Sequence, residues 1–183
     1  MKIRHTEMTP NPDALKFVLM EALPISGVRQ FDDAAKAEQD PLAKALFALG
    51  FVQSVFYTPE FVTVTKDSQL VWDAVIPEIK PVIEAEADNV TADATTTASA
   101  SPEGGPTGDV LYDKIQDILN NRIRPALAGD GGGLEVIGLD GFTLKIRYQG
   151  ACGRCPRAAA GTMRGIGHLL QTDVDPRLTV IAG

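Results

Sequence analysis

Residues 85–108 constrain the architecture of this chain more than any other stretch. Ala, Thr, Ser, Gly, Pro and acidic residues make up nearly all of the segment, and it has no aromatic residue, no Lys and no Arg. Such a composition cannot bury enough apolar surface to offset the entropy lost on ordering. We therefore expect a flexible acidic linker at 85–108 that joins two small domains, 1–84 and 109–183.

Charge and cysteine content narrow the class of protein. The formal net charge is −7, which argues against a nucleic-acid binder held by phosphate contacts. The sequence has no run of about 18 apolar residues, so no membrane partner is expected. The first residues form neither a secretory signal nor an Arg-rich presequence, and two cysteines make a poor disulfide framework. These features predict a reducing, cytoplasmic setting.

The first domain has the period-2 and period-3.6 patterns of a mixed fold. Predicted strands cover 1–8, 14–20, 28–31, 51–57 and 61–65, the last two as a hairpin. One helix follows the capping pair Asp40-Pro41, and a second covers 70–84. Pro77 and Pro81 predict a kink or break in the second helix. No residue here looks catalytic, so client docking is the interpretation we favour.

The second domain reads as α-β-β-α-β, a two-layer unit, which places the whole chain in the α/β (α+β) class. A helix from Asp109 should end near Arg124, before Pro125 or shortly after it, and the glycines at 129–133 should form a turn. Two strands, 134–138 and 142–148, should then pair through Asp140-Gly141. The remaining elements are a helix at about 155–171 and a strand at 178–181.

The chemistry of the chain is concentrated in Gly150-Ala151-Cys152-Gly153-Arg154-Cys155-Pro156, which holds the only two cysteines. Glycine allows tight turning, and proline suits the first turn of a helix. The motif should therefore join a strand end to a helix N-terminus, where positive partial charge favours thiolates. Arg154, Arg157 and Arg164 would add to that field.

Two adjacent thiolates are compatible with several roles. They could cycle as a redox dithiol, bind metal, or serve as small apolar core residues. A tetrahedral zinc or an iron–sulfur cluster usually needs four ligands, and His5 and His168 are distant in sequence. A metal site would then require two ligands from a second copy of the chain, and hence a dimer.

The motifs around these cysteines resemble the NifU-like (Nfu-type) iron–sulfur carrier family. In the second domain the resemblance rests on Arg122-Ile123-Arg124-Pro125-Ala126, Asp130-Gly131-Gly132, Gln149-Gly150-Ala151-Cys152 with Cys155-Pro156, and Gly165-Ile166. The first domain resembles the Nfu N-terminal domain through Thr9-Pro10-Asn11-Pro12, Leu15-Lys16-Phe17, Pro41-Leu42-Ala43 with Leu46-Phe47, Val55-Phe56 and the run 62–66. Arg157-Ala158-Ala159, Gly161 and Gly167-His168 depart from the family pattern.

The resemblance implies a scaffold or carrier without turnover chemistry. It implies that Cys152 and Cys155 are the ligands of a [4Fe–4S] cluster bridging two subunits of a homodimer. It also implies two further kinds of partner, a cluster donor scaffold and apo iron–sulfur clients. The alternatives are a thiol–disulfide oxidoreductase using the same cysteines and a structural zinc bridge between two chains.

Overall fold

The computed structural model describes residues 1–91, 110–151 and 156–183, with side chains for all of these except 156–160. The chain divides into two compact units, Met1–Ala100 and Ser101–Gly183. Both combine helices with a sheet, so the predicted mixed class is confirmed. No helix of the described residues is long and apolar enough to cross a membrane.

The first unit is built on a five-stranded antiparallel sheet. Its strands are β1 (Ile3–Met8), β2 (Ala14–Leu19), β3 (Arg29–Phe31), β4 (Val52–Tyr57) and β5 (Phe61–Lys66), in the order β1-β2-β5-β4-β3. Phe17 and Tyr57 both pair with Val62, which places β5 at the centre. The predicted strands and hairpin are confirmed within a few residues.

Helix α1 (Pro41–Phe47) begins as the sequence predicts. Asp40 is its N-cap, and its Oδ1 accepts the Ala43 N–H at 2.9 Å. Pro41 occupies the first turn, where its missing N–H removes no helical bond. The helix buries Leu42 and Leu46 completely against the sheet.

Helix α2 (Trp72–Glu86) runs through Pro77 and Pro81 without the predicted break. Both prolines are exposed, while Val75, Ile79 and Ile83 form a fully packed stripe at most 3% exposed. Burial of that stripe against the core outweighs the lost helical bonds, because each buried aliphatic side chain contributes about 1.5–3 kcal/mol.

The predicted linker begins too early. Helix α2 continues to Glu86, a 3₁₀ turn follows at Ala87–Asn89, and Ala87 and Val90 are buried in the first core. Residues 85–90 therefore belong to the first unit, because these two apolar residues complete its packing. The rest of the predicted linker, 92–108, lies outside the described residues.

A charged network is buried inside the first unit. Arg29 is 6% exposed, and Asp40 and Tyr57 are fully buried. Asp40 Oδ2 accepts from Arg29 Nη1 at 2.9 Å and from the Tyr57 hydroxyl, while Arg29 Nη2 donates to the Thr91 carbonyl at 2.8 Å. Burial, followed by the Asp40 charge, raises the pKa of Tyr57 above its usual range.

The first described element of the second unit is one helical stretch in three parts. These are α3 (Val110–Ile118), a π-helical segment (Leu119–Ile123) and α4 (Arg124–Gly129). The prediction of a helix ending at about Arg124 is wrong. Pro125 lies in the first turn of α4, after the wider π turn, so its ring and missing N–H are tolerated there.

The remaining elements give the predicted α-β-β-α-β order. Strands β6 (Gly132–Asp140) and β7 (Thr143–Gly150) pair antiparallel through a turn in which Gly141 has φ +59°. Helix α5 (Pro156–Asp173) follows, and β8 (Thr179–Ala182) pairs parallel to β7. The helices cover one face of this sheet, with Ile166 and Leu170 of α5 in the core.

Candidate functional site

The cysteine motif lies between a buried strand end and the start of the longest helix of the second unit. Cys152 and Cys155, with Gly153 and Arg154, are outside the described residues, whereas the structure on both sides is described. Strand β7 ends at Gly150 and helix α5 begins at Pro156. The predicted strand-to-helix setting of the motif is therefore confirmed.

The entry into the motif is fixed by glycines. Gly150 has φ +67° and pairs with Gly132 at the end of the β6–β7 ladder. The next residue, Ala151, is 1% exposed, and its N–H donates to the Gly131 carbonyl at 3.3 Å. Gly131 has φ +73°, another conformation that residues with a Cβ rarely adopt.

The glycine-rich turn at 129–133, before β6, therefore has a second role that the spacing of its glycines did not reveal. The glycines at 129–133 were predicted only to turn the chain. The structure shows that this turn also holds the backbone at which the cysteine motif begins. The signal available in the sequence was the triplet Asp130-Gly131-Gly132, which belongs to the resemblance rather than to any periodic pattern.

Helix α5 supplies the electrostatic field expected at the cysteines. Its 18 residues direct the positive end of the helix dipole toward Pro156, next in sequence to Cys155. Thiolates are favoured in such a field because it lowers the free energy of the charged form. This contribution comes from the backbone and does not depend on any arginine side chain.

The three arginines expected to reinforce that field differ in whether the structure describes them and in their distance from the helix start. Arg154 and the Arg157 side chain lie outside the described part of the structure. Arg164 is exposed on α5, eight residues after Pro156, which is about 12 Å along the helix axis. At that distance, beyond a Debye length at physiological salt, its effect on a charge at the helix start is largely screened.

In the part of the chain that the structure describes, no further metal ligands are found beside the cysteine motif. Among described residues no group of three or more His, Cys, Asp or Glu side chains is placed to hold a metal ion. His168 lies twelve residues along α5, about 18 Å from the helix start. His5 belongs to the first unit, where its Nε2 contacts Glu7 at 2.9 Å.

Comparison with known families covers both units. Residues 3–89 match the family described as scaffold protein Nfu/NifU N terminal. Residues 115–181 match the NifU-like domain, and this range includes both cysteines and the elements that flank them. The two matches occur in the order expected from the sequence.

Individual relatives agree with the family matches. The protein named NifU-like protein 5, mitochondrial, of Arabidopsis thaliana is 35% identical over 170 residues, covering 90% of this chain and 62% of that protein. The human protein named NFU1 iron-sulfur cluster scaffold homolog, mitochondrial, is 32% identical over 167 residues, covering 91% and 66%. The chain thus spans somewhat under two thirds of the length of these relatives.

The comparisons overturn the predicted cytoplasmic setting. The relatives from Arabidopsis thaliana, Drosophila ananassae and Homo sapiens are all named as mitochondrial, which contradicts the cytoplasmic setting predicted from the sequence. The prediction failed because two cysteines without a disulfide framework indicate only a reducing environment. That property does not distinguish one reducing compartment from another.

Proposed function

The chain belongs to the Nfu/NifU family of iron–sulfur scaffold proteins, and from this premise we propose that it carries a [4Fe–4S] cluster between two subunits and transfers it to apo-proteins. Cys152 and Cys155 of each subunit are the proposed ligands. The role is that of a scaffold, in line with the names of its relatives, and not that of an enzyme.

One observation carries the proposal. The NifU-like match spans the cysteine motif, and there the motif is entered from a buried strand end and followed by an 18-residue helix. A fixed backbone on both sides restricts where two sulfurs can lie, and the helix N-terminus favours their anionic form. Both properties suit ligands that must be thiolates to bind iron.

The number of ligands supports assembly from two subunits. One chain has two cysteines, whereas a [4Fe–4S] cluster needs four thiolates. The described residues on either side of the cysteine motif offer no group of side chains that could hold a metal ion. A homodimer with a twofold axis between the motifs would supply the four sulfurs in a closed, symmetric arrangement.

Transfer then follows from ligand exchange. A cysteine thiolate of an apo-protein replaces one ligand at a time: a new Fe–S bond forms as one to Cys152 or Cys155 breaks, and the thiolate released takes up a proton. The exchange requires no net oxidation or reduction. A cluster donor scaffold and apo iron–sulfur clients are therefore the proposed partners, with the first unit as a client-docking module.

Anaerobic reconstitution with iron and sulfide tests the proposal directly. Mössbauer spectra and sedimentation of the same sample should give a [4Fe–4S] signature and one cluster per two chains. Iron held by a strictly single chain would contradict the shared site. Zinc alone in protein purified without oxygen would favour a structural bridge, and insulin reduction by metal-free protein would favour the oxidoreductase.

A further inference from the structure

A groove of about 510 Å³ lies between helix α5 and strand β8 in the second unit. Met163 and Val180 line its apolar part, and both side chains are half-buried. Gly167 opens the groove, because a Cβ at this position would lie 4.0 Å from Val180 Cγ2 and a longer side chain would occupy the space. The groove is thus a direct consequence of glycine at position 167.

The rim of the groove is basic. Arg164 and His168 lie one turn apart on α5 and both are exposed. Within the described residues no carboxylate lies within 4.0 Å of either side chain, and His168 Nδ1 lies 3.4 Å from Thr172 Oγ1. These side chains are therefore available to a ligand that brings carboxylates.

The acidic residues at the end of α5 do not neutralise that rim. Asp173 pairs with Arg122 at 2.7 Å, and Asp175 pairs with Arg177 at 2.9 Å. Both carboxylates are thus already matched by other arginines. The Arg164 charge at the rim therefore remains, and it favours an acidic occupant.

The groove also runs beside an open sheet edge. Strand β8 is the last strand of the order β6-β7-β8, so in the described sheet only its β7 side is paired. The N–H groups of Thr179 and Gly183 donate toward the β7 side at 2.8 and 2.9 Å. Because strand backbone groups alternate, those of Val180 and Ala182 face the open edge.

We propose that this surface docks an extended acidic segment of a partner protein, which adds a strand to the edge of β8. The strand places an apolar side chain over Gly167 and carboxylates against Arg164 and His168. Main-chain bonds to the edge supply affinity, and alternate side chains supply specificity. Because strand residues two apart share a face, the matching pattern is acidic–x–apolar–x–acidic. The inference goes beyond cluster binding and needs no cluster.

The test is an NMR titration of the full-length, reduced, metal-free chain with the end-blocked peptide Thr-Glu-Thr-Leu-Thr-Glu-Thr. We expect saturable shifts confined to the amides of the groove and of Val180 and Ala182. Peptides with Ser for Leu, or Gln for both Glu residues, should bind about tenfold more weakly. Absence of saturable shifts, or shifts centred elsewhere, would overturn the proposal.

Substitutions separate the groove from its rim. Gly167→Leu fills the groove and should weaken peptide binding about tenfold, while the matched control Gly167→Ala should stay within about twofold of the native protein. Arg164→Glu reverses the rim charge and should weaken binding even if Gly167→Leu does not fold, which its amide spectrum would show. Native affinity in Arg164→Glu and in folded Gly167→Leu would refute the docking surface.

Other occupants give distinguishable results. Shifts at the same amides that grow with protein concentration, without peptide, would identify a second copy of the chain and overturn the assignment to a partner segment. Iron loading is not a readout here, so failure of the titration leaves the proposed cluster site standing. Failure of cluster reconstitution likewise leaves the titration unaffected.

Discussion

The two units differ in how many polar and charged residues they bury. Of the described polar and charged residues that are buried, Gln149 is the only one in the second unit. The others belong to the first unit, namely Thr9, Asn11, Lys16, Arg29, Asp40, Ser54, Thr63, Thr65 and Lys66. Burying charged groups is costly unless they are paired, so the first unit is committed to one arrangement of its interior.

The second unit is constrained by its backbone instead. Three of its glycines have positive φ, and two of them, Gly131 and Gly150, lie where the cysteine motif begins. There Gly150 pairs with Gly132, and the Ala151 N–H donates to the Gly131 carbonyl. The two units are therefore held in place by different means. Interior pairing fixes the core of the first unit, whereas glycine geometry in the second unit fixes the backbone at which the cysteine motif begins.

The largest expected effect is loss of the cluster on removing either thiol. Cys152→Ser or Cys155→Ser leaves only two of the four cysteine sulfurs in a pair of chains, because each substitution is repeated in both subunits. We expect iron and sulfide to fall to background in reconstituted protein, together with cluster-linked dimerisation, measured by metal assay and sedimentation.

The control for this prediction is the first unit. Its single tryptophan, Trp72, should report native unfolding in both variants, since the substitutions lie in the other unit. A variant that keeps its iron would show that the cysteines are not the ligands.

The second effect is loss of stability in the first unit on removing its buried carboxylate. Asp40→Ala leaves the Arg29 guanidinium buried without its ion-pair partner and removes the cap of α1. We expect a loss of about 3–5 kcal/mol in the free energy of unfolding. Urea unfolding monitored by Trp72 fluorescence measures this loss.

The matched control is an exposed ion pair of the same unit. Lys36→Ala breaks the pair with Asp33 at 3.6 Å, in which both side chains are about half exposed, and should cost less than about 1 kcal/mol. Cluster loading should be unchanged in both variants. Equal losses in the two variants would remove the contrast between buried and surface pairing.

Local patterns predicted the elements of both units well. Strand alternation, the Asp40-Pro41 start and the Asp140-Gly141 turn each act over a few residues, so the sequence contains their full cause. Pro77, Pro81 and Pro125 were misjudged because tertiary packing and a π turn made their cost acceptable. The end of the first unit was misjudged because Val90 is buried only by packing against residues that are distant in sequence.

The site was predictable in part. Two cysteines before Pro156 indicate a site next to a helix start, and the structure confirms that β7 ends at Gly150 and α5 begins at Pro156. The contact between Ala151 and Gly131 joins residues twenty positions apart, and no local period reveals it. The groove at Gly167 was likewise unpredictable, because it depends on the distance between α5 and β8.

A third effect, of intermediate size, compares one substitution at two glycines of the second unit. Gly150→Ala places a Cβ at φ +67° and should destabilise the unit by about 1–2 kcal/mol. Gly161→Ala lies in an exposed helical position with no atom within 4 Å of a new Cβ and should stabilise it by about 1 kcal/mol. Hydrogen exchange of β6 and β7 amides measures both, and effects of the same sign would contradict the role assigned to backbone geometry.

The smallest effect concerns a surface ion pair of the second unit. Hydrogen bonds from the Arg177 side chain and backbone lower the pKa of Asp175 to about 2. Because the folded pKa is depressed, the pair contributes stability above the unfolded value of about 3.9 and loses it as the pH falls toward 2.

In Arg177→Ala the pKa of Asp175 should rise only part of the way, because the backbone N–H still donates to Asp175 Oδ1 at 2.9 Å. Carbon-13 titration of the carboxyl measures this, with Arg177→Lys as the charge-preserving control expected to fall between. An unchanged pKa in Arg177→Ala would mean that the backbone alone sets it, and the second unit would then rely on main-chain geometry even for its surface charges.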